Sequence, residues 1–395
     1  MNILVINYEY PPIGGGGGFV TRDLAEEWVK NGHHVTIITS RYSGLHKYEV
    51  VNGVEVRRVP VLLRNKAQVA SHASMLSYVP SAILEALITA RSRQYNIINT
   101  HFAVPSGPAG LAISRILKIP NILSIHGGDI FDPSKSLSPH KTPILSSVVK
   151  FMLNKADRVV AQSSDTQGNA IKYYGVTRNI DIIPLGIKKP KFEPSSRERF
   201  GLPKDAFVMV TIGRLVKRKN LEDAIKILST LKEFGCFRLI IIGDGPEMDN
   251  LRNLVKQSHL GNNVIFFGNV DDETKFQLLD VSDLYVSTAT HEGFGLVFLE
   301  AMALRIPVIC YNRGGQNDFL DNSRSGYLIE LNNKEEFINR IFELYNDRKK
   351  LEGMSQFCKS VAENYYIENC ADRYLNLFRD ASRKVSFHNT YRRVS

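Results

Sequence analysis

Cysteine is scarce and dispersed: Cys236, Cys310, Cys358 and Cys370 are the four in 395 residues. No two form a Cys-x-x-Cys pair, which argues against a zinc site or a disulfide framework. Uninterrupted apolar runs are short. Candidates such as 208–212 and 239–242 are strand-sized, far below the roughly 18 residues needed to span a bilayer. The strand-like stretch 2–7 has no cationic lead-in and no small-residue cleavage site, so no signal peptide is expected and the cytosol is the expected compartment. Gly-Lys dipeptides are missing altogether, which excludes the Walker phosphate loop. Hydrophobic residues at 43% and charged residues at 23% exclude a disordered, collagen-like or coiled-coil chain.

What is there fits two or three domains, at roughly 100–200 residues each. The net charge of +10 is unevenly placed. Residues 1–188 carry 20 basic and 12 acidic side chains, 189–371 carry 24 and 26, and 372–395 carry 6 and 2. The basic excess therefore lies in the first half and the tail. Such a surface attracts phosphates, nucleic acid or anionic lipid, and it is equally what a solvated basic surface looks like.

Strand-like runs at 3–7, 35–39, 54–59, 96–99, 122–125, 158–161 and 180–183 alternate with helix-length segments such as 19–30, 106–117 and 163–173. This rhythm predicts a mostly parallel sheet with helices on both faces. Four prolines between Pro184 and Pro203 mark a linker. The rhythm then restarts, with strands at 207–212, 238–242, 264–267, 284–287 and 308–310 and helices at 221–234, 248–258, 273–279, 296–304 and 334–346. The expected fold class is α/β, with an N-terminal domain over 1–188, a C-terminal domain over 189–371, and a helix with a basic tail over 372–395.

Several loops carry candidate chemistry. Pro11-Pro12-Ile13 and the run Gly14-Gly15-Gly16-Gly17-Gly18 lie between the first strand and a helix, where bare N–H groups and the helix dipole favour phosphate. The dinucleotide fingerprint fails there in every frame. Gly213-Arg214 through Lys219 follow a strand and open a helix; Arg214 offers a planar fork to phosphate oxygens and Lys219 a point charge. Gly243-Asp244-Gly245-Pro246-Glu247 reads as a tight turn into a helix. The densest stretch is His291-Glu292-Gly293-Phe294-Gly295-Leu296-Val297, with Glu300 following in an apolar helix. A carboxylate so placed needs a partner such as a ribose diol or a cation. The pair Asp271-Asp272 begins a helix and reads as capping.

In this order, these motifs together with His126-Gly127-Gly128-Asp129 resemble the retaining nucleotide-sugar glycosyltransferases of family 4, over nearly the whole chain. The resemblance implies the GT-B architecture, two Rossmann-like doubly wound domains facing across a cleft, with the last helix crossing back onto the N-terminal domain. It implies a UDP-sugar or, less favoured, a GDP-sugar as substrate, bound mainly by the C-terminal domain, and a glycan or lipid-linked acceptor bound mainly by the N-terminal one. The acceptor-facing part is expected within 42–93. Arg214 and Lys219 would neutralise the diphosphate, helped by N–H groups of Gly15, Gly16 and Gly17 and of Gly295, Leu296 and Val297. Gly213, Gly293 and Phe294 complete the donor site. Glu300 would accept the ribose hydroxyls, Glu292 would contact the sugar, His126 would support it, and Asp129 would orient its loop or the acceptor. No cofactor and no metal are implied.

A nucleotide-sugar epimerase or a phosphorylase is a second reading. A nucleic-acid-binding protein is a third, but aromatic and basic residues do not interleave and nothing in that reading uses Glu292 or Glu300. One stretch, 69–90, is apolar with the single acid Glu85, and Arg57, Arg58, Arg64, Lys66, Arg91 and Arg93 flank it. It is either a core helix or a surface segment able to sit on anionic lipid, peripheral to the membrane.

Overall fold

The computed structural model describes residues 1–64, 71–134 and 137–391, with side chains up to 383 in the last helix. It separates the chain into one unit of Met1–Gly186 and Ile367–Ser395 and a second of Ile187–Tyr366.

The N-terminal unit runs β1 (Asn2–Asn7), α1 (Gly16–Lys30), β2 (His34–Ser40), β3 (Tyr48–Val51), β4 (Val54–Val59), α2 (His72–Ala90), β5 (Ile97–His101), α3 (Ser106–Leu117), β6 (Asn121–Ile125), α4 (Pro143–Lys155), β7 (Arg158–Ala161), α5 (Ser164–Tyr174) and β8 (Asp181–Ile182). Among the described residues these strands form one sheet in the order β3-β4-β2-β1-β5-β6-β7-β8. Strands such as β1 are nearly continuous runs of buried apolar side chains, because helices cover both faces of a parallel sheet. Only β3 runs antiparallel, to β4. Sequence patterning missed β3, although its turn carries a hairpin signal: Asn52 and Gly53 both have positive φ, at 50° and 81°.

The second unit runs β9 (Phe207–Ile212), α6 (Leu221–Leu231), β10 (Phe237–Ile242), α7 (Met248–Gln257), β11 (Val264–Gly268), α8 (Asp272–Asp280), β12 (Leu284–Ser287), α9 (Leu296–Ala303), β13 (Val308–Tyr311), β14 (Gly326–Ile329), α10 (Lys334–Asn346) and α11 (Arg348–Ala362). Its parallel sheet has the order β11-β10-β9-β12-β13-β14, the Rossmann order, whose direction of winding reverses between β9 and β12. The same reversal lies between β1 and β5 in the first unit. Loops leaving the carboxyl ends of these strand pairs are where such sheets bind ligands.

A final helix, α12 (Ile367–Tyr391), belongs to the first unit. Trp28 of α1 packs edge-on against its Phe378 at 5.2 Å and Tyr374 at 5.9 Å. The returning segment thus starts at Ile367, five residues before the expected 372; residues 392–395 of the expected tail lie outside the described residues. Helices α4 and α11 and strand β14 carried no expectation. The glycine run also differs from expectation. Gly16, Gly17 and Gly18 form the first turn of α1, with Gly15 as N-cap. Glycine is a poor helix former, yet a Cβ on Gly17 would stand 2.5 Å from Phe102 Cζ. Close approach of helix and loop requires its absence.

Helix α2 turns a mixed face inward: Tyr78, Ala82 and Ala86 join the core, with Met75, Val79 and Ile83 packed against it. Ser74, Tyr78, Glu85 and Thr89 are buried, while Leu76 (75%), Leu84 (62%) and Ile88 (47%) stay exposed. Tyr78 donates to the Ile38 carbonyl at 2.8 Å and Glu85 pairs with Arg57 at 2.9 Å. With 19 residues and a mean hydropathy of 1.3 in its best window, α2 is long and apolar enough to cross a membrane by length and composition. Scattered Ser, Tyr and Glu85 break the run, so a search for uninterrupted apolar stretches passes over it. Residues 69 and 70 of the expected 69–90 segment lie outside the described residues.

Candidate active site

In the second unit the loops after β9, β10, β12 and β13 interlock. Gly213 and Gly243 have φ of 151° and 127°, and a Cβ on Gly243 would fall 2.1 Å from the Gly213 carbonyl oxygen. The expected turn at 243–247 therefore buttresses the Arg214 loop, and Asp244 fixes it by accepting from the Leu215 N–H at 2.9 Å. Gly213 donates its own N–H to Ile242, at 2.9 Å. Arg214 is exposed and makes no ion pair among the described residues.

Lys219 instead turns back. Its Nζ lies 2.5 Å from Glu292 Oε2. The neighbouring Arg218 donates to the His291 carbonyl, and Thr290 donates its N–H to Arg218 at 2.9 Å. Burial pushes the Glu292 carboxyl upward, but the Lys219 and Arg218 cations outweigh it and hold it below the usual carboxylate range. Glu292 is thus kept an anion by two cations, Lys219 in direct contact and Arg218 nearby.

The loop carrying Glu292 is clamped from its other side. Glu292 donates its N–H to Arg313 at 3.0 Å and accepts from Gly315 N–H at 3.0 Å. Any Cβ on Gly314 would fall 1.8 Å from the Glu292 carbonyl, so only glycine fits. Phe294 is an anchor: it is buried and packs on Phe319 at 5.4 Å and Tyr365 at 6.3 Å. Gly295, with φ 96°, is the N-cap of α9. The N–H groups of Leu296 and Val297 open that helix, where the dipole favours an anion. Glu300, on the same helix, meets Lys275 of α8, Nζ to Oε1 at 2.9 Å. Burial lowers the Lys275 pKa, and the Glu300 and Asp272 carboxylates more than reverse this.

In the first unit, Asp129 ties two loops together. It accepts from the Ala103 N–H at 2.6 Å and the His126 N–H at 2.9 Å. Between those loops Phe102 adopts φ 73°, a region costly for a bulky side chain. Its ring lies 4.5 Å from that of His126. Burial pushes the His126 imidazole down to about 4, so it is neutral. At the glycine turn, Glu9 Oε2 accepts the Gly15 N–H at 3.0 Å. Gly15 therefore spends its N–H on Glu9, which leaves Gly16 and Gly17 as the donors at that helix start. Among the described residues no three His, Cys, Asp or Glu side chains cluster as for a metal.

Two family models divide the chain between them: Glycosyltransferase Family 4 matches 14–189, and Glycosyl transferases group 1 matches 192–361. The chain belongs to the family 4 type of GT-B glycosyltransferases. It is similar to an uncharacterised glycosyltransferase of Methanocaldococcus jannaschii, 27% identical over 96% of this chain and 98% of the relative. It is also similar to the UDP-Gal:α-D-GlcNAc-diphosphoundecaprenol α-1,3-galactosyltransferase of Escherichia coli, 27% identical over 82% and 83%. Among solved structures, Anabaena HepE in complex with UDP shares the fold, with a TM-score of 0.79 at 20% identity over 96% of this chain and all (100%) of the other.

As a glycosyltransferase of this type the protein uses a nucleotide-sugar donor. Four of its site-supporting residues escaped the motifs. Arg218 was passed over as part of a basic run. Gly314 lies in an Asn-Arg-Gly-Gly turn whose glycines were a usable signal. Lys275, and His101 whose ring lies 2.9 Å from His126, gave none, because Lys275 meets Glu300 and His101 meets His126 only through the packing of separate elements.

Proposed function

We propose that this glycosyltransferase moves a hexose-type sugar from UDP, with retention of anomeric configuration, to a hydroxyl of a glycolipid or polysaccharide precursor. The observation that carries the reading is the arrangement at the β9–β12 reversal: an exposed Arg214, a Lys219–Glu292 ion pair at 2.5 Å and Glu300 on the following helix. Arg214 and Lys219 meet the diphosphate, and the N–H groups of Gly295, Leu296 and Val297 meet the same oxygens. Charge grows there as the C1–O bond to phosphate breaks, so these contacts favour the transition state over the ground state. Glu300 receives the ribose hydroxyls and Glu292 the sugar hydroxyls, and the role proposed for neutral His126 is to receive a sugar hydroxyl. The acceptor oxygen bonds to C1 on the face that the phosphate leaves, and its proton passes to the departing phosphate oxygen. Sugar is thereby transferred, UDP is released, and the chain's cations replace a metal. The UDP preference is supported by the names of the E. coli relative and the Anabaena complex.

The lipid-linked acceptor and a membrane-peripheral location are supported by α2. Leu76, Leu84 and Ile88 face outward. Leu62 and Leu63, 65% and 69% exposed, lie at its N-terminal end, where the Leu62 N–H donates to Ser77 at 2.9 Å. A bilayer surface covers such a face. Thermal-shift screening against UDP- and GDP-sugars tests the donor, and the anomeric signal of the product tests retention. Stabilisation by GDP-sugars alone, or an inverted product, overturns the corresponding part.

A further inference from the structure

Five side chains of the first unit form a hydrogen-bonded row that ends at His126. The Tyr374 hydroxyl of α12 donates to Ser124 Oγ at 2.9 Å. Asn99 Nδ2 donates to the same Ser124 oxygen at 3.0 Å and to the Ile122 carbonyl at 3.2 Å. Asn99 Oδ1 lies 2.7 Å from His101 Nε2, and His101 Nδ1 lies 2.9 Å from His126 Nε2. The two imidazoles are stacked, with centroids 5.1 Å apart.

The donors and acceptors along this row can be assigned one way only. The Ile122 carbonyl accepts and cannot donate, so the Asn99 amide nitrogen faces it and the amide oxygen faces His101. That oxygen is an acceptor, so His101 Nε2 carries a proton. His101 is fully buried and burial holds it neutral, well below the usual histidine range. Its Nδ1 is then a bare lone pair, and His126 Nε2 must be the donor toward it. Neutral His126 is left with a bare lone pair on Nδ1. That atom is buried and makes no hydrogen bond of good geometry among the described residues, although the Gln162 side chain, held on the His126 carbonyl, lies near enough to the ring to raise its basicity. A buried polar atom without a partner calls for an explanation, and a substrate hydroxyl is one that suits a bare imidazole nitrogen.

We infer that Asn99 and His101 are positioning residues that lock His126 in its Nε2–H tautomer, so that Nδ1 accepts a hydrogen bond from a hydroxyl of the bound sugar. The lock follows from the row itself; the sugar as occupant rests on the role proposed above for His126. The consequence is specific. His126 receives a substrate hydroxyl and cannot serve as a proton donor to the leaving group. Second partners of this kind fix both tautomer and ring orientation, and their loss commonly costs 10–100-fold in metalloenzymes.

Long-range proton–nitrogen spectra of the ring-labelled, ligand-free protein test the lock, with His126 assigned from the signal missing in His126→Ala. The expected spectrum has His126 protonated at Nε2 and bare at Nδ1, and the Nδ1 signal moves when a UDP-sugar is added. His101→Leu should give a tautomer mixture and lower kcat on the order of 10-fold. His101→Gln, whose amide oxygen still accepts from His126, should recover most of that loss. A His126 protonated on Nδ1 in the wild type overturns the lock, and that spectrum decides the matter even if His101→Leu does not fold. Full kcat in His126→Ala would instead overturn the sugar role and leave the lock to the spectrum.

Discussion

Lys219 and Glu292 stand 73 residues apart in sequence, yet their charged ends lie 2.5 Å apart with side chains only 14% and 15% exposed. The β9 loop and the β12 loop are thereby fastened at the point where the second sheet reverses its winding. The pair serves two ends: it orients Glu292 and keeps it charged, and it holds a cation at the head of the β9 loop.

Replacing Lys219 or Arg214 by Ala should cut turnover by on the order of 10²-fold, the usual scale for losing one electrostatic donor. The two variants should part in stability. Arg214 is exposed, so its loss should move the urea midpoint little. Lys219→Ala strands a buried carboxylate that Arg218 only partly compensates, and should cost on the order of 3 kcal/mol. Wild-type turnover in both variants would refute the leaving-group role.

Glu300→Gln should weaken UDP binding itself by about 10-fold, because a ribose contact is made alike in ground and transition states. Lys275→Met should weaken it too, by releasing the carboxylate that Lys275 holds at 2.9 Å. Calorimetry with UDP measures both; unchanged affinity in Glu300→Gln would leave that residue structural.

Activity should survive excess EDTA, since side chains and N–H dipoles meet the diphosphate. Complete loss that magnesium or manganese restores would reverse the assignment.

Co-sedimentation should show weak, reversible binding to anionic vesicles at low salt, and Leu76→Ser with Leu84→Ser should abolish it. Each leucine is worth about 1.5–3 kcal/mol when fully buried. The charge contribution is smaller than the flanking cations suggest. Arg57, Arg58 and Arg93 are paired with Glu85, Glu49 and Glu55, Arg64 lies over the Tyr8 ring at 4.8 Å, and Lys66 lies outside the described residues. A protein that stays in solution with every vesicle would indicate a soluble acceptor.

Stability should fall as pH drops from 7 toward 4. Burial lowers His126 to about 4 and holds His101 well below the usual histidine range, against roughly 6.5 unfolded. The folded state therefore binds fewer protons, so these groups stabilise it fully above the unfolded value and lose that contribution as pH falls. Each histidine adds a slope of up to about 1.4 kcal/mol per pH unit in that window. Urea midpoints at pH 7 and 5 should differ less in His101→Gln than in the wild type; equal slopes would show that His101 titrates normally.

Much of the scaffold was readable in advance because parallel strands buried on both faces are short continuous apolar runs. β4, β7, β9 and β12 occupy the ranges their patterns predict. The start of α1 was misplaced because glycine propensity argues for a loop, while the Phe102 ring needs the empty space at Gly17. The short antiparallel β3 has a half-exposed, weakly patterned edge that periodicity does not separate from a loop.

By itself the sequence determined the two βαβ series, the order of the loops that carry the family resemblance, and the residues that bring charge to them. Those properties are local: they follow from residue type and spacing along one strand, turn or helix. The tertiary structure alone decided which carboxylate meets which cation, as with Lys275 and Glu300, and which face of α2 turns outward. It also decided that Asn99, Ser124 and Tyr374 stand in line behind His101. Such pairings depend on which strands lie side by side, and neighbours in a doubly wound sheet come from distant parts of the chain, so no spacing along the sequence records them.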